Sequence, residues 1–480
     1  MKKRPMLMIG LGVCGLIAVA AGIWGTMQRI KTGPPNDKPA EPDQLIDTRS
    51  GPSELKQVQK GNTLAILPKH IFAERAPFYL DKTKPEGASG FTFMYYYSDR
   101  RSLFYRFNPR LNRPELCSDV PGNIDGGTVT NHGAGVLYRE MVAGNYLEGN
   151  LYHQVQGRPL RKILKRCNWY VISPDRRQVI AGGIPFADRT QSGRKVYLYN
   201  LERRTLSEIA GVVGPEDWEE LLSLTCSWSS NSRYVYLEDK VFDSEPLRLL
   251  KAFPADGARR SMFSWSPDGK QLAFAVQSPA NAAYSLSEEH RDLFLSDRLG
   301  IYNLNDQSLR SLTFPASLIG GFVWGQDGKR IAAVAVPLEA AAAYVNRANG
   351  SGPADRLELL LIDSVALKTV PILTQAPLTE VNALAGEVLI FTQQRKGHPV
   401  ISACRLSDRT VQDLLAEDLL AAEVSRKQVY LAAASGVYRI DSSLKLTRLT
   451  DHSGEGELLI LPEARQIVTG LSDRIDVIRF

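Results

Sequence analysis

Beyond residue 61 the chain runs in short stretches where apolar and polar positions alternate, and FSWSPDGKQLAFAV (263–276) shows the pattern best. Phe263 and Trp265 alternate with serines, Ser266-Pro267-Asp268-Gly269 interrupts, and Leu272, Phe274 and Val276 alternate with alanines. Period-two alternation on both sides of a turn predicts two antiparallel strands. The turn is specified by its own chemistry. Pro267 presets φ, Asp268 can accept from its own backbone, and Gly269 takes positive φ without steric cost.

The same hairpin recurs at 167–183 (CNWYVISPDRRQVIAGG), 226–239 (CSWSSNSRYVYLED) and 322–336 (FVWGQDGKRIAAVAV). Trp228, Trp265 and Trp324 stand directly before the turn, so three of the six tryptophans share one register. Asp175, Asp268 with Gly269, and Asp327 with Gly328 mark the turns themselves. A second hairpin follows each of the first, at 196–209, 241–250, 301–312 and 359–370, with weaker relatives at 103–116, 151–163, 403–415 and 437–449. The repeated unit is two hairpins, or four strands. A sheet of that size buries both faces only when neighbours stand beside it, which predicts an all-β chain of propeller blades. The small alanines between Leu272 and Val276 fit a strand covered on both faces.

Trp265-Ser266-Pro267-Asp268-Gly269-Lys270, followed by Gln271-Leu272-Ala273-Phe274, resembles the WD40-like repeat of TolB and of the non-catalytic propellers of prolyl-oligopeptidase-type proteins. The resemblance implies a β-propeller of four-stranded antiparallel blades and a binding or scaffolding role in the cell envelope. The count favours eight blades, with seven and nine as alternatives. A C-terminal remnant, 455–480, is expected to pair with a strand near residues 62–67 and so close the ring, removing exposed sheet edges.

Residues 6–27 carry no charge and are mostly apolar, long enough at about 20 residues per crossing to span a bilayer. Lys2, Lys3 and Arg4 precede them and favour a cytoplasmic N-terminus. The expected organisation is a cytoplasmic tail (1–5), a transmembrane signal-anchor (6–27), a proline-rich polar linker (28–60) and a propeller (61–480) outside the cytoplasm, in the periplasm. The rival is a signal peptide cleaved near Ala18-Val19-Ala20.

The formal charge of +6 does not indicate nucleic acid, because residues 1–38 hold six Lys and Arg against one Asp. The remaining body is close to neutral and has no basic stripe. Of the five cysteines, none has CxxC spacing, and Cys167 and Cys226 each stand two residues before a tryptophan, as small core residues would. The six histidines show no HExxH pattern, and no Gly-x-Ser-x-Gly elbow occurs. No catalytic residue, cofactor or metal ligand is assigned, and Asp268 and Asp327 are read as turn formers.

One segment has the composition of a binding surface. Tyr95, Tyr96 and Tyr97, with Arg100 and Arg101 close behind, combine the residue types enriched at interface hot spots. They are the candidate partner-binding residues, set against the plainer reading of an aromatic strand inside a blade. A second segment, 339–352, is an insertion expected on the rim. The expected partner is an envelope protein bound by a monomeric propeller. The alternative is an enzyme, a lyase or hydrolase, whose site is assembled in the central funnel from separate blades.

Overall fold

This computed structural model describes residues 55–479 apart from segments between strands, chief among them 82–90, 214–224, 281–294 and 342–356. The tail and anchor expected at 1–27 lie outside the described residues. Among the described residues no helix is long and apolar enough to cross a membrane.

Every sheet is antiparallel. Blade 1 is built from Phe78–Asp81, Phe91–Ser98, Arg101–Asn108 and Arg113–Pro121, in that order from one edge to the other. Blades 4 to 8 repeat the arrangement. Blade 4 runs from Cys226–Trp228 through Tyr234–Leu237 and Lys240–Ser244 to Leu247–Ala252. Blade 5 comprises Arg259–Trp265, Gln271–Gln277, Arg298–Asn303 and Ser308–Thr313, and blade 6 Ser317–Trp324, Arg330–Pro337, Leu357–Asp363 and Lys368–Ala376. Blade 7 spans Leu378 to Leu415 and blade 8 Leu419 to Thr450.

Between blades 1 and 4 stands one seven-stranded sheet. Its middle strand, Arg161–Ile172, pairs through its first half with Asn145–Val155 and through its second half with Gln178–Pro185. Irregularities at Lys162, Leu164 and Lys165 bend it, and Arg166 takes φ +53° at the corner. It therefore serves as the last strand of blade 2, after Ile124–Val129 and Gly135–Val142, and as the first of blade 3, before Lys195–Asn200 and Thr205–Val213.

The closing blade joins the two ends of the propeller. Glu457–Leu461, Gln466–Gly470 and Ile475–Arg479 are completed by Thr63–Pro68 and then Leu55–Lys60. Leu64 lies opposite Val477, and Thr63 opposite Ile478, as the expected pairing near residues 62–67 requires. Leu55–Lys60, assigned to the linker by its polarity, is instead the outer strand of this sheet. Gln57 is exposed there, as an edge strand with one side toward solvent allows.

The buried apolar residues form nine clusters, and each lies between two neighbouring blades. Leu137 and Leu151 of blade 2 pack with Val179 and Ala181 of blade 3, Trp169 and Ile180 of blade 3 with Val235 and Leu237 of blade 4, and Tyr430 and Val437 of blade 8 with Ile467 and Ile478 of the closing blade. Among the described residues, nine interblade cores mean nine blade units in eight hydrogen-bonded sheets, eight of the units four-stranded, two of these sharing a strand, and the closing one five-stranded. The sequence favours eight because its closing blade looks like a remnant, and two of that blade's strands come from the other end of the chain.

Candidate functional site

The first turn of each motif-bearing blade is one structure repeated. Ser173 Oγ donates to Asp175 Oδ1 (2.6 Å) and accepts from Gln178 N (3.0 Å). Ser229 does the same with Asn231 and Tyr234, and Ser266 with Asp268 and Gln271. The fourth residue of the turn is left-handed throughout: Arg176 (φ +58°), Ser232 (+62°), Gly269 (+67°) and Gly328 (+64°). Only glycine takes this conformation without cost. Where a side chain stands there, it ties blades together. Ser232 Oγ accepts from Asp175 N at 2.8 Å, and the fully buried Arg176 donates to Thr92 Oγ1 of blade 1 at 2.8 Å.

The tryptophan before each turn is a cross-blade donor. Trp228 Nε1 donates to Val171 O of blade 3 (3.2 Å), Trp265 Nε1 to Ser227 O of blade 4 (3.2 Å), and Trp324 Nε1 to Ser264 O of blade 5 (2.9 Å). The shared register therefore has a physical cause: each indole reaches the same carbonyl, two residues before the turn of the preceding blade. Trp169, three residues further from its turn, covers Gly182 instead, where an added Cβ would lie 2.5 Å from Nε1. Asp175, Asp268, Gly269, Asp327 and Gly328 are turn residues, as expected, and Asp327 also pairs with Arg330 (2.6 Å).

The candidate binding strand divides. Tyr95 is fully buried with Phe91, Phe93 and Phe107 in the core between the closing blade and blade 1. As a partner-binding residue it is a correction: both faces of a blade's second strand are covered, so its aromatic content fills a core. Arg101 is 41% exposed and pairs with Asp119 through Nε (2.8 Å) and Nη2. Arg100 and the side chains of Tyr96 and Tyr97 lie outside the described residues. Residues 338–341 form one helical turn at the start of the expected insertion, and the rest of it lies outside the described residues.

The titratable groups most displaced from their ordinary range are buried ones. Burial pushes the thiols of Cys117 and Cys404 up to about 11, and the four described cysteines are free. Burial also lowers His153 to about 4, helped by Arg204 and Arg158, while its Nδ1 meets Tyr199 OH at 3.2 Å. Burial raises the carboxyl of Glu140, against a hydrogen bond from Tyr152. Among the described residues no group of three or more His, Cys, Asp or Glu side chains is placed to hold a metal ion.

One cleft opens on the face that carries the turns, at the junction of blades 3 and 4. It has a volume of about 390 Å³ and is lined by Gln178, Leu198, Asn200, Arg203, Thr205 and Ser207 from blade 3. Blade 4 supplies Ser244, Glu245, Pro246 and Leu247. The register explains its floor and walls. Gln178 lies opposite Asn200, and Asn200 opposite Thr205, so a polar row crosses the end of the blade, with Leu198 and Ser207 paired in the next row. In blade 4 the corresponding four residues, 244–247 between Asp243 and Arg248, close more tightly, with Ser244 paired to Leu247. In blade 3 four residues stand between Asn200 and Thr205, and in blade 5 four stand between Asn303 and Ser308. Gln178 and Ser244 are more than nine-tenths buried, and Gln178 Oε1 and Ser244 Oγ have no partner. Arg203 and Glu245 stand exposed at the mouth.

Sequence alone does not single out this cleft.

No protein-family model matches this sequence, and no curated protein does. Solved structures resemble it in fold. The tricorn protease shares 11% identity over 84% of this chain and 45% of its own length, with a TM-score of 0.35. The C-terminal WD40 domain of Sif2 shares 9% identity over 85% and 98% (TM-score 0.41), and TolB from Acinetobacter baumannii 15% over 70% and 79% (TM-score 0.26). The chain thus spans less than half the length of the tricorn protease. Likeness of this extent concerns the fold alone, and what assigns the fold is the order of strands in the blades and the pairing that closes them. By that topology the chain is a β-propeller.

Proposed function

We propose that the chain is a membrane-anchored, extracytoplasmic propeller that binds a protein of the cell envelope, and that the partner covers the junction of blades 3 and 4. The observation that carries this reading is the cleft there: polar side chains of both blades line it, and Arg203 and Glu245, of opposite charge, are exposed among them. The anchor is read from residues 6–27 and the envelope setting from the resemblance of the repeats.

The test is in-cell crosslinking of the full-length chain from a photoreactive residue at Thr205, beside the same residue at Val411 on the outer strand of blade 7. A reproducible envelope protein captured from Thr205 and not from Val411 is the expected result. Capture from Val411 alone, or from neither position, would overturn the reading.

The enzyme alternative has one observation in its favour. Glu140 combines a raised carboxyl pKa with a hydrogen-bonded tyrosine, a pairing suited to proton transfer. Turnover of a screened glycan or peptide that Glu140→Gln abolishes while leaving the melting temperature unchanged would favour it.

A further inference from the structure

The junction of blades 5 and 6 repeats the polar row and the buried serine of the junction of blades 3 and 4. Gln271 lies opposite Asn303 and Asn303 opposite Ser308, matching Gln178, Asn200 and Thr205. Ser364 N donates to Lys329 O (2.8 Å) in blade 6, just as Ser244 N donates to Arg233 O (2.9 Å) in blade 4. Both serines are buried, and both hydroxyls lack a partner. The two junctions differ in the turn of the following blade, where Ser244 pairs with Leu247 in blade 4 while Leu367 N donates to Asp363 O in blade 6, and at one position of the outer strand. Ile301 faces Arg310 in blade 5, whereas Leu198 faces Ser207 in blade 3.

Arg310 spans its junction. Its Nη1 donates to Val365 O (2.6 Å) and its Nη2 to Ser364 O (3.0 Å), so a guanidinium closes the gap between the outer hairpins. Ser207 has the same place and no such reach, and the cleft of about 390 Å³ lies over Ser244 and Glu245, the counterparts of Ser364 and Val365. Gln271 leaves its Oε1 without a partner even beside Arg310, so the turn carbonyls, not the glutamine, are what the guanidinium reads.

We infer that the blade 3–blade 4 cleft is an arginine pocket: it takes the guanidinium of an exposed arginine on the partner protein, which lies where Arg310 lies in the neighbouring junction. The planar fork of donors suits two adjacent carbonyls, which a single ammonium serves less well. Glu245 at the mouth adds an attractive charge, and Arg203 an opposing one, so the turn carbonyls, counterparts of those that Arg310 takes, decide the choice. The inference rests on the protein-binding reading only in assigning the arginine to a protein partner.

The test uses the full-length protein in detergent and three blocked tripeptides, Gly-Arg-Gly, Gly-Lys-Gly and Gly-Gln-Gly, with binding followed by calorimetry or NMR. The arginine peptide should bind about tenfold more tightly than the glutamine one, with one site per chain. Ser207→Arg should fill the cleft from within, abolish that binding and raise the melting temperature. Arg310→Ser should lower the melting temperature and open a second site, so that two peptides bind. Equal affinity for arginine and glutamine peptides, or arginine binding that survives Ser207→Arg, would overturn the inference. A folded Arg310→Ser chain that still binds one peptide would do the same. An envelope protein captured at Thr205 in wild type and equally in Ser207→Arg would remove the arginine pocket and leave the binding reading standing.

Discussion

The joins between blades 3 to 6 and the join inside the closing blade are made in different ways. In the first arc the join is a side chain: Trp228, Trp265 and Trp324 each donate to the preceding blade through one geometry. In the closing blade the join is the backbone, with Thr63–Pro68 laid against Ile475–Arg479. A side-chain join can be lost blade by blade. A backbone join between segments some four hundred residues apart is made or broken as a unit, and its loop-closure entropy is met by a whole strand of ladder hydrogen bonds.

The sharpest way to break the comparison is to remove residues 1–68 from the chain. Ile475–Arg479 then becomes an exposed edge, and we expect loss of cooperative unfolding together with aggregation, measured by thermal scans and light scattering. The next largest effect is Trp324→Ala, which empties a site 8% exposed in the core between blades 5 and 6 and should cost about 3–5 kcal/mol in denaturant unfolding. Trp324→Phe keeps most of the volume but loses the donor, and about 1 kcal/mol is expected to separate it from wild type.

A pH titration probes the junction of blades 2 and 3. His153 is held neutral in the fold, at about 4 against an ordinary value of 6.5. The unfolded chain therefore binds the extra proton between those values. Stability from this group is complete above pH 6.5, falls as the pH drops toward 4, and levels off below that. His153→Gln should flatten the profile in this window. A smaller effect than that of Trp324→Ala is expected from Gly269→Ala, which places a side chain at φ +67° with Asn231 only 2.7 Å away, at a cost of about 1–2 kcal/mol. The matching change Gly328→Ala meets nothing nearer than 3.8 Å and should cost less.

How legible each region is in the sequence follows from the same contrast. The indole join repeats in register, so Trp228, Trp265 and Trp324 announce the blades that carry them. The Ser-x-Asp turn is equally visible, even where Asn231 and Ser232 replace aspartate and glycine. The closing blade has no motif, because its strands are matched by alternation alone, and Leu55–Lys60 reads as linker. Tyr95 misleads for a related reason: an aromatic run looks like a hot spot until the strands on both sides of it are known. The cleft is legible only by comparing two repeats, since its floor is ordinary blade and its distinguishing features are a tightly closed turn at 244–247 and Ser207 where the neighbouring junction has Arg310.

The most direct measurement is amide hydrogen exchange across the full-length chain, alone and with the protein captured at Thr205. Binding at the open junction predicts slowed exchange confined to residues 200–207 and 244–247, with the Arg310-filled junction at 308–313 and 364–367 unchanged. Protection at the filled junction, or on the outer strand Thr410–Leu415 without any at 200–207, would contradict it.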